Sequence, residues 1–120
     1  PGMLWGFKEA DLKHTLDTVF ALLKQQGHPD PLREHHFAEH VGRKWRFDFC
    51  WPLRKVAFEV EGVTASGGRH QRMGGFSNDV CKYNEAVLMG WLLVRATPKQ
   101  VRDGQALDWL ERALNGKGRD

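Results

Sequence analysis

The first predicted element is an amphipathic helix. Apolar residues recur at intervals of three and four between Leu12 and Leu23, which places them on one stripe of a helix. Gly27 follows the stripe, and a glycine at that place is typical of a helix end. Residues 28–31 contain two prolines and therefore predict a turn.

Three strands are predicted next. Residues 32–39 form a short strand candidate with a weak pattern. Residues 45–49 alternate strictly, with the aromatic Trp45, Phe47 and Phe49 on one predicted face and Arg46 and Asp48 on the other. The third strand places successive residues on opposite faces. Val56, Phe58 and Val60 lie on one predicted face, and Ala57, Glu59 and Glu61 lie on the other. The second and third strands are expected to pair as a hairpin.

The C-terminal half predicts further helices around one more strand. Ser77 is a candidate N-cap for a helix through residue 89, with Gly90 just after its end. Residues 91–96 are continuously apolar up to one arginine, a pattern typical of a buried strand. Thr97 and the proline after it begin another helix, which Gly104 interrupts. The order of elements, α, three β, α, β, α, predicts an α/β fold.

Composition narrows the class of protein. The chain has 120 residues, 18 of them Lys or Arg and 15 Asp or Glu, for a net charge of +3. This length predicts one domain over residues 1–120, and no apolar run is long enough to span a bilayer. Pro1 and Gly2 ahead of Met3 look like residues left from cloning, and no secretory signal is visible. Cys50 and Cys81 are too few for a disulfide scaffold, which favours a reducing cytoplasm.

Three carboxylates are expected to converge on the polar face of the hairpin. Residues two apart on a strand project to the same side, so Glu59 and Glu61 lie near each other, with Asp48 on the neighbouring strand. Like charges this close favour a divalent cation with oxygen ligands, Mg²⁺ or Mn²⁺. The alternative is an ordinary solvated strand face, neutralised by basic neighbours such as Arg46 and Arg54.

Three segments of the chain resemble the PD-(D/E)XK nucleases. They are residues 46–49 (RFDF), 59–62 (EVEG) and 90–95 (GWLLVR), and they look most similar to the small very-short-patch-repair-like enzymes of phage and prophage genes. The resemblance implies a restriction-endonuclease-like αβββαβ core, with a mixed sheet of about four strands flanked by helices. Asp48 would be the first acid of the motif, and Glu59-Val60-Glu61 its second part.

The same resemblance implies hydrolysis of DNA phosphodiester bonds with Mg²⁺ or Mn²⁺. Asp48, Glu59 and Glu61, together with the carbonyl of Val60, would hold one or two ions that orient and activate water. An extra acid from the N-terminal half is found in some of these nucleases. Glu34 is one candidate for it, although a solvated surface charge is its expected role.

The family's motif lysine is missing from its usual place, which Glu61 occupies. In some relatives the lysine moves to the following helix, and Lys82 is similar to that arrangement. The alternative for Lys82 is a surface lysine paired with Asp79 three residues before it. His70 is another candidate for the base.

DNA is the expected partner. Five basic residues are interpreted as phosphate contacts: Arg43, Lys44, Arg46, Arg69 and Arg72. No second domain or obvious groove-reading helix is present to discriminate sequence, so recognition of branched DNA is favoured, as in a Holliday-junction resolvase acting as a homodimer. A nicking, mismatch or general duplex endonuclease is the alternative. A catalytically inactive nucleic-acid-binding module of the same fold is a second alternative.

The expected setting is the cytoplasm of a bacterium or of a phage-infected cell, with no membrane partner.

Overall fold

A computed structural model describes the backbone of residues 2–62 and 76–116 and the side chains of residues 10–62 and 79–116. The described part of the chain contains eight main elements. They are α1 (Gly2–Gln25), β1 (Leu32–His36), β2 (Arg46–Trp51), β3 (Val56–Val60), α2 (Phe76–Leu88), β4 (Leu92–Ala96), α3 (Pro98–Arg102) and α4 (Gln105–Asn115). The predicted α/β fold, a mixed sheet of four strands flanked by helices, is confirmed.

The four strands lie side by side in chain order. β1 pairs with β2 and β2 with β3 in antiparallel fashion, whereas β3 and β4 are parallel. The predicted hairpin is therefore present as β2–β3, in the register that pairs Phe49 with Phe58. A short 3-10 turn, Pro52–Arg54, joins the two strands, and Lys55 after it has a left-handed φ of 55°. The hairpin forms the centre of the sheet.

Two apolar clusters cover the two faces of the sheet. Successive residues of β3 belong to different clusters, Phe58 to one and Ala57 to the other. The larger cluster joins the sheet to α1, α3 and α4, with Leu23 and Leu110 fully buried in it. The smaller cluster joins the sheet to Ala86 of α2. The sheet is thus the middle layer between helices on both sides.

The prediction that the aromatic residues of β2 share one face is wrong. The ring of Phe49 lies 4.8 Å from that of Phe20 in α1, whereas the ring of Phe47 lies 4.9 Å from that of Trp91 in the other cluster. The side chains of Phe47 and Phe49 therefore lie on opposite faces of the sheet, and the alternation of β2 is broken at Asp48, between them. In the β1–β2 register the residue opposite Asp48 is Glu34, which has a left-handed φ of 54°. The regular alternation of side chains between the two faces is thus interrupted in both strands at this one pair of residues.

The prediction of a buried fourth strand also needs correction. β4 is the last strand of the sheet, next to β3 alone among the described strands. Leu92 is 40% exposed, and only Ala96 of this strand is buried. The apolar sequence of β4 therefore reflects contact with helices on its two faces rather than full enclosure by strands.

The described residues also bear on the expectations about membrane spans and cysteines. None of the helices in the described residues is long and apolar enough to cross a bilayer. Cys50 is buried and Cys81 is exposed, and both are free thiols. Burial raises the pKa of Cys50 to about 11, so this thiol stays protonated at neutral pH.

Replacing Thr97 by alanine is expected to lower the free energy of unfolding by about 1 kcal/mol. Thr97 is the predicted N-cap of α3. Its hydroxyl accepts from the Gln100 N–H at 3.2 Å, and the Gln100 side chain accepts from the Thr97 N–H at 3.0 Å. Urea denaturation measures the loss as a lower midpoint with an unchanged slope. Thr97→Ser keeps the hydroxyl and should keep nearly all of the stability, so equal losses in both variants would contradict the capping role.

Candidate active site

The centre of the candidate site is a place where β2 and β3 separate. Their last ladder pair is Phe49 with Phe58, and the next would be Asp48 with Glu59. Here side chains take the place of backbone acceptors. The Asp48 N–H donates to Glu59 Oε2 at 2.6 Å, and the Val60 N–H donates to Asp48 Oδ2 at 2.9 Å. The two carboxylates are thereby held next to each other between the opened strands.

Lys82 reaches this carboxylate pair from α2. Its Nζ donates a hydrogen bond to Glu59 Oε1 and forms an ion pair with it. Glu59 is only 4% exposed, and the Lys82 side chain is 13% exposed. Lys82 is therefore not the exposed surface lysine of the alternative interpretation, because it neutralises a buried carboxylate.

The electrostatics of the pair follow from burial. Burial raises the pKa of Glu59, the negative charge of Asp48 raises it further, and the Lys82 ammonium acts in the opposite direction. Burial also raises the pKa of Asp48, against the lowering effect of its hydrogen bond from Val60 and of the charge on Lys82. Both carboxylates are therefore costly to ionise, and a nearby cation stabilises their charged form.

Glu61 lies at the edge of the site and has partners of its own. Its Oε1 accepts from Arg95 Nε at 2.6 Å and from the Tyr83 hydroxyl at 3.2 Å. The same hydroxyl lies 3.4 Å from Glu59 Oε1, so Tyr83 links the two glutamates. Burial and both carboxylates raise the pKa of Tyr83 well above its ordinary value, which keeps its hydroxyl a donor.

Tyr83 and Arg95 are the two residues of this network that the sequence analysis did not identify as site residues. The Arg95 guanidinium lies 4.2 Å from the centre of the Tyr83 ring and so contacts both the ring and Glu61. Two signals were available in the sequence. Tyr83 directly follows Lys82, and Arg95 is the one charge in an apolar strand.

The site offers oxygen ligands suited to Mg²⁺. Among the described residues, no group of three or more His, Cys, Asp or Glu side chains stands close enough to hold a metal ion. Mg²⁺ in phosphoryl-transfer sites often takes only one or two carboxylates, together with water and substrate phosphates. Asp48 and Glu59, with the Val60 carbonyl, fit that requirement. Glu61 as a metal ligand stays a prediction. Its carboxylate is paired with Arg95, just as that of Glu59 is paired with Lys82.

A cavity of about 380 Å³ opens beside Asp48 on the α1 side of the sheet. Its lining residues include Glu34 and Arg33, which flank the acid. The negative charge of Glu34 adds to the effects that raise the pKa of Asp48. Glu34 is exposed, as expected of a solvated charge, and its carboxylate pairs with Arg46 at 3.3 Å. It also lines the cavity beside Asp48.

Part of the predicted DNA-binding surface lies close to the site along the chain. Arg43, Lys44 and Arg46 are exposed and stand just before Asp48. The Arg43 guanidinium lies 5.0 Å from the centre of the Trp45 ring. The remaining predicted residues, His70, Arg69 and Arg72, lie outside the described residues, so their roles stay predictions.

Comparison with known proteins adds no relative. The chain matches no protein-family model, and neither the curated proteins nor the solved structures contain a significant match. The resemblance to the PD-(D/E)XK nucleases therefore rests on the motifs of this chain, and the function is argued below from its geometry.

Proposed function

We propose that this protein is a Mg²⁺-dependent DNA endonuclease of the PD-(D/E)XK type. One observation carries the proposal: a buried ion pair between Lys82 and Glu59 stands beside Asp48 where two central strands separate. Two carboxylates can hold a divalent cation that activates water, and a neighbouring lysine can stabilise negative charge that develops on a phosphate. Buried titratable groups whose pKa values are raised by burial and by a neighbouring charge cluster at functional sites.

The residues of the site have distinct roles in this proposal. Asp48 and Glu59, with the Val60 carbonyl, hold the ion. The chemistry supplied by bound Mg²⁺ is a water of lowered pKa and stabilisation of charge on the phosphate. Lys82 orients the attacking water and stabilises the developing negative charge. His70 stays the alternative base, and Tyr83 keeps Glu59 in position through its hydroxyl.

The proposed substrate is branched DNA, and the proposed assembly is a homodimer. The exposed Arg43, Lys44 and Arg46 supply phosphate contacts, which carry no sequence information in themselves. A symmetric pair of sites could cut a four-way junction on both sides, as a resolvase does. A nicking, mismatch or general duplex enzyme would use the same active site on a different substrate.

A cleavage assay with matched substrates tests the proposal. End-labelled four-way junction, flap, mismatched duplex and perfect duplex are incubated with the protein in Mg²⁺, Mn²⁺ or EDTA. Asp48→Asn is the test variant. Asp108→Asn is the matched control, since Asp108 is an exposed aspartate on α4 that pairs with Arg112. We expect metal-dependent cleavage that Asp48→Asn lowers by about 100-fold or more and the control leaves unchanged.

The possible outcomes separate the candidate functions. Cuts confined to the junction support a resolvase. Cuts in the other DNAs support a nuclease whose substrate differs from the one proposed. Binding that weakens with salt but never leads to cleavage would identify an inactive binding module, which Glu61 in the lysine position favours. Cleavage that persists in Asp48→Asn would show that the active site has been assigned to the wrong residues.

A further inference from the structure

The outer side of β4 carries backbone groups that point away from the sheet. The Leu92 N–H donates to the Lys55 carbonyl at 2.8 Å, and the Ala96 carbonyl accepts from the Glu61 N–H at 2.8 Å. The backbone groups of successive residues in a strand point in opposite directions, so Leu92, Val94 and Ala96 all bond to β3. The N–H and C=O groups of Leu93 and Arg95 therefore face outward.

The two edges of the sheet differ in how they are protected against pairing. Natural edge strands are protected by irregular backbone or by charged side chains. β1 has both kinds of protection, with a left-handed residue at Glu34 and mostly charged or histidine side chains. β4 has no left-handed residue. Its single charge, Arg95, is held by Glu61, and Leu92 is 40% exposed. β4 is thus the edge on which another strand can add.

We propose that β4 pairs with β4 of a second copy of this chain, antiparallel about a two-fold axis at Val94. The outward groups set the register. Leu93 lies opposite Arg95 of the second copy, and Arg95 opposite its Leu93, and each of these two pairs exchanges both backbone hydrogen bonds. Val94 meets Val94 of the second copy on the axis. The two sheets become one continuous sheet.

The side chains next to the edge suit this arrangement. A two-fold axis perpendicular to the sheet keeps equivalent faces on the same side, so exposed Leu92 lies beside Ala96 of the second copy. A groove of about 410 Å³ runs along β4, with Trp109 and Arg112 of α4 in its wall. The two copies bring these grooves together on one face, which extends the apolar contact beyond the strands.

Symmetry is what selects a second copy as the occupant. The pairing satisfies the outward groups of both unprotected edges at once. Of the strands in the described residues, only the two protected β1 strands then remain at an edge. The assembly therefore closes as a dimer and does not continue into a fibre. None of these steps depends on catalysis, so a failed cleavage assay and a failed pairing test are separate results.

A cysteine at the axis provides the most direct test. Residues in a non-hydrogen-bonded antiparallel pair have Cα atoms about 4.5 Å apart, which a disulfide can span. Val94→Cys, in a Cys81→Ser background that removes the exposed thiol, should form a covalent dimer under mild oxidation. Leu32→Cys in the same background is the control, because residue 32 is exposed on the β1 edge. Cross-linking of Val94→Cys no faster than the control would overturn the proposal.

Two charged variants of Val94 give a second, independent readout. In a dimer of Val94→Lys, or of Val94→Glu, two like charges meet on the axis, so each variant alone should dimerise about tenfold or more weakly. An equimolar mixture of the two variants brings opposite charges together and should restore dimerisation. Light scattering measures the mass, and circular dichroism checks that each variant is folded. If residue 94 does not tolerate charge, Leu92→Asp at the exposed neighbouring position should also weaken dimerisation. A wild-type protein that stays at 13.8 kDa at its highest soluble concentration would refute the interface.

Discussion

Lys82→Met is expected to lower the free energy of unfolding by about 3 kcal/mol at neutral pH, because it leaves a buried carboxylate without its cation. Glu59 is 4% exposed, and it would keep only the Asp48 N–H and the Tyr83 hydroxyl as hydrogen-bond donors. Methionine has about the length of the lysine stem, so the packing of the side chain is largely preserved. Urea denaturation in EDTA measures the change.

The loss should depend on pH in a definite direction. Lys82 lowers the pKa of Glu59 against the effects of burial and of Asp48, so its removal raises the folded-state pKa further. A carboxyl whose folded-state pKa lies above its unfolded-state value destabilises the fold as pH rises between the two values. The difference between variant and wild type should therefore be small near about pH 4 and largest at neutral pH.

Two further variants separate charge from packing. Glu59→Gln added to Lys82→Met removes the unpaired charge and should recover most of the lost stability. Lys99→Met, at an exposed position on α3, should change little. A loss that is the same at every pH and persists in the double variant would mean that the lysine stem, not its charge, stabilises the fold.

Phe58→Ala is expected to lower the free energy of unfolding by about 3–5 kcal/mol. Phe58 is fully buried at the centre of β3, with its ring centre 5.9 Å from that of Phe49 and 6.4 Å from that of Phe20. Removing the ring leaves a cavity between the sheet and α1. Since domains of this kind are stable by only about 5–15 kcal/mol, the variant should be partly unfolded at moderate temperature.

The matched control for this substitution is Leu53→Ala. Leu53 is 98% exposed in the turn before β3, so its truncation removes almost no buried surface and should leave the unfolding midpoint unchanged. Thermal and urea denaturation measure both variants. A loss below about 1 kcal/mol for Phe58→Ala would mean that α1 collapses onto the vacated space, and the expected cost of a cavity would be wrong.

Features set by neighbours in the chain were predictable from the sequence. The apolar stripe that ends at Leu23 forms the buried side of α1, and Thr97 caps α3 with its own side chain. The alternation along β3 also holds, with Phe58 and Glu59 on opposite faces. Each of these follows from a local period or a local hydrogen bond.

Features set by partners far along the chain were not predictable. The change of face at Asp48 accompanies a left-handed residue at Glu34 in the neighbouring strand, and no pattern within β2 indicates it. The hydrogen bond between Glu61 and Arg95, 34 residues later, is likewise not indicated by any local pattern. The contact of Lys82 with Glu59 was an implication of the family resemblance, since spacing alone does not direct α2 towards β3.

The chain order of the sheet has a consequence for how the protein folds. β1, β2 and β3 are joined by short connections, so their pairing closes small loops and loses little chain entropy. β4 pairs with β3 across the intervening residues 61–91, so we expect these contacts to form later, because they close a longer loop. Until then β3 is an open edge with an almost wholly apolar sequence. We therefore expect the folding chain to be prone to aggregation before β4 pairs with β3.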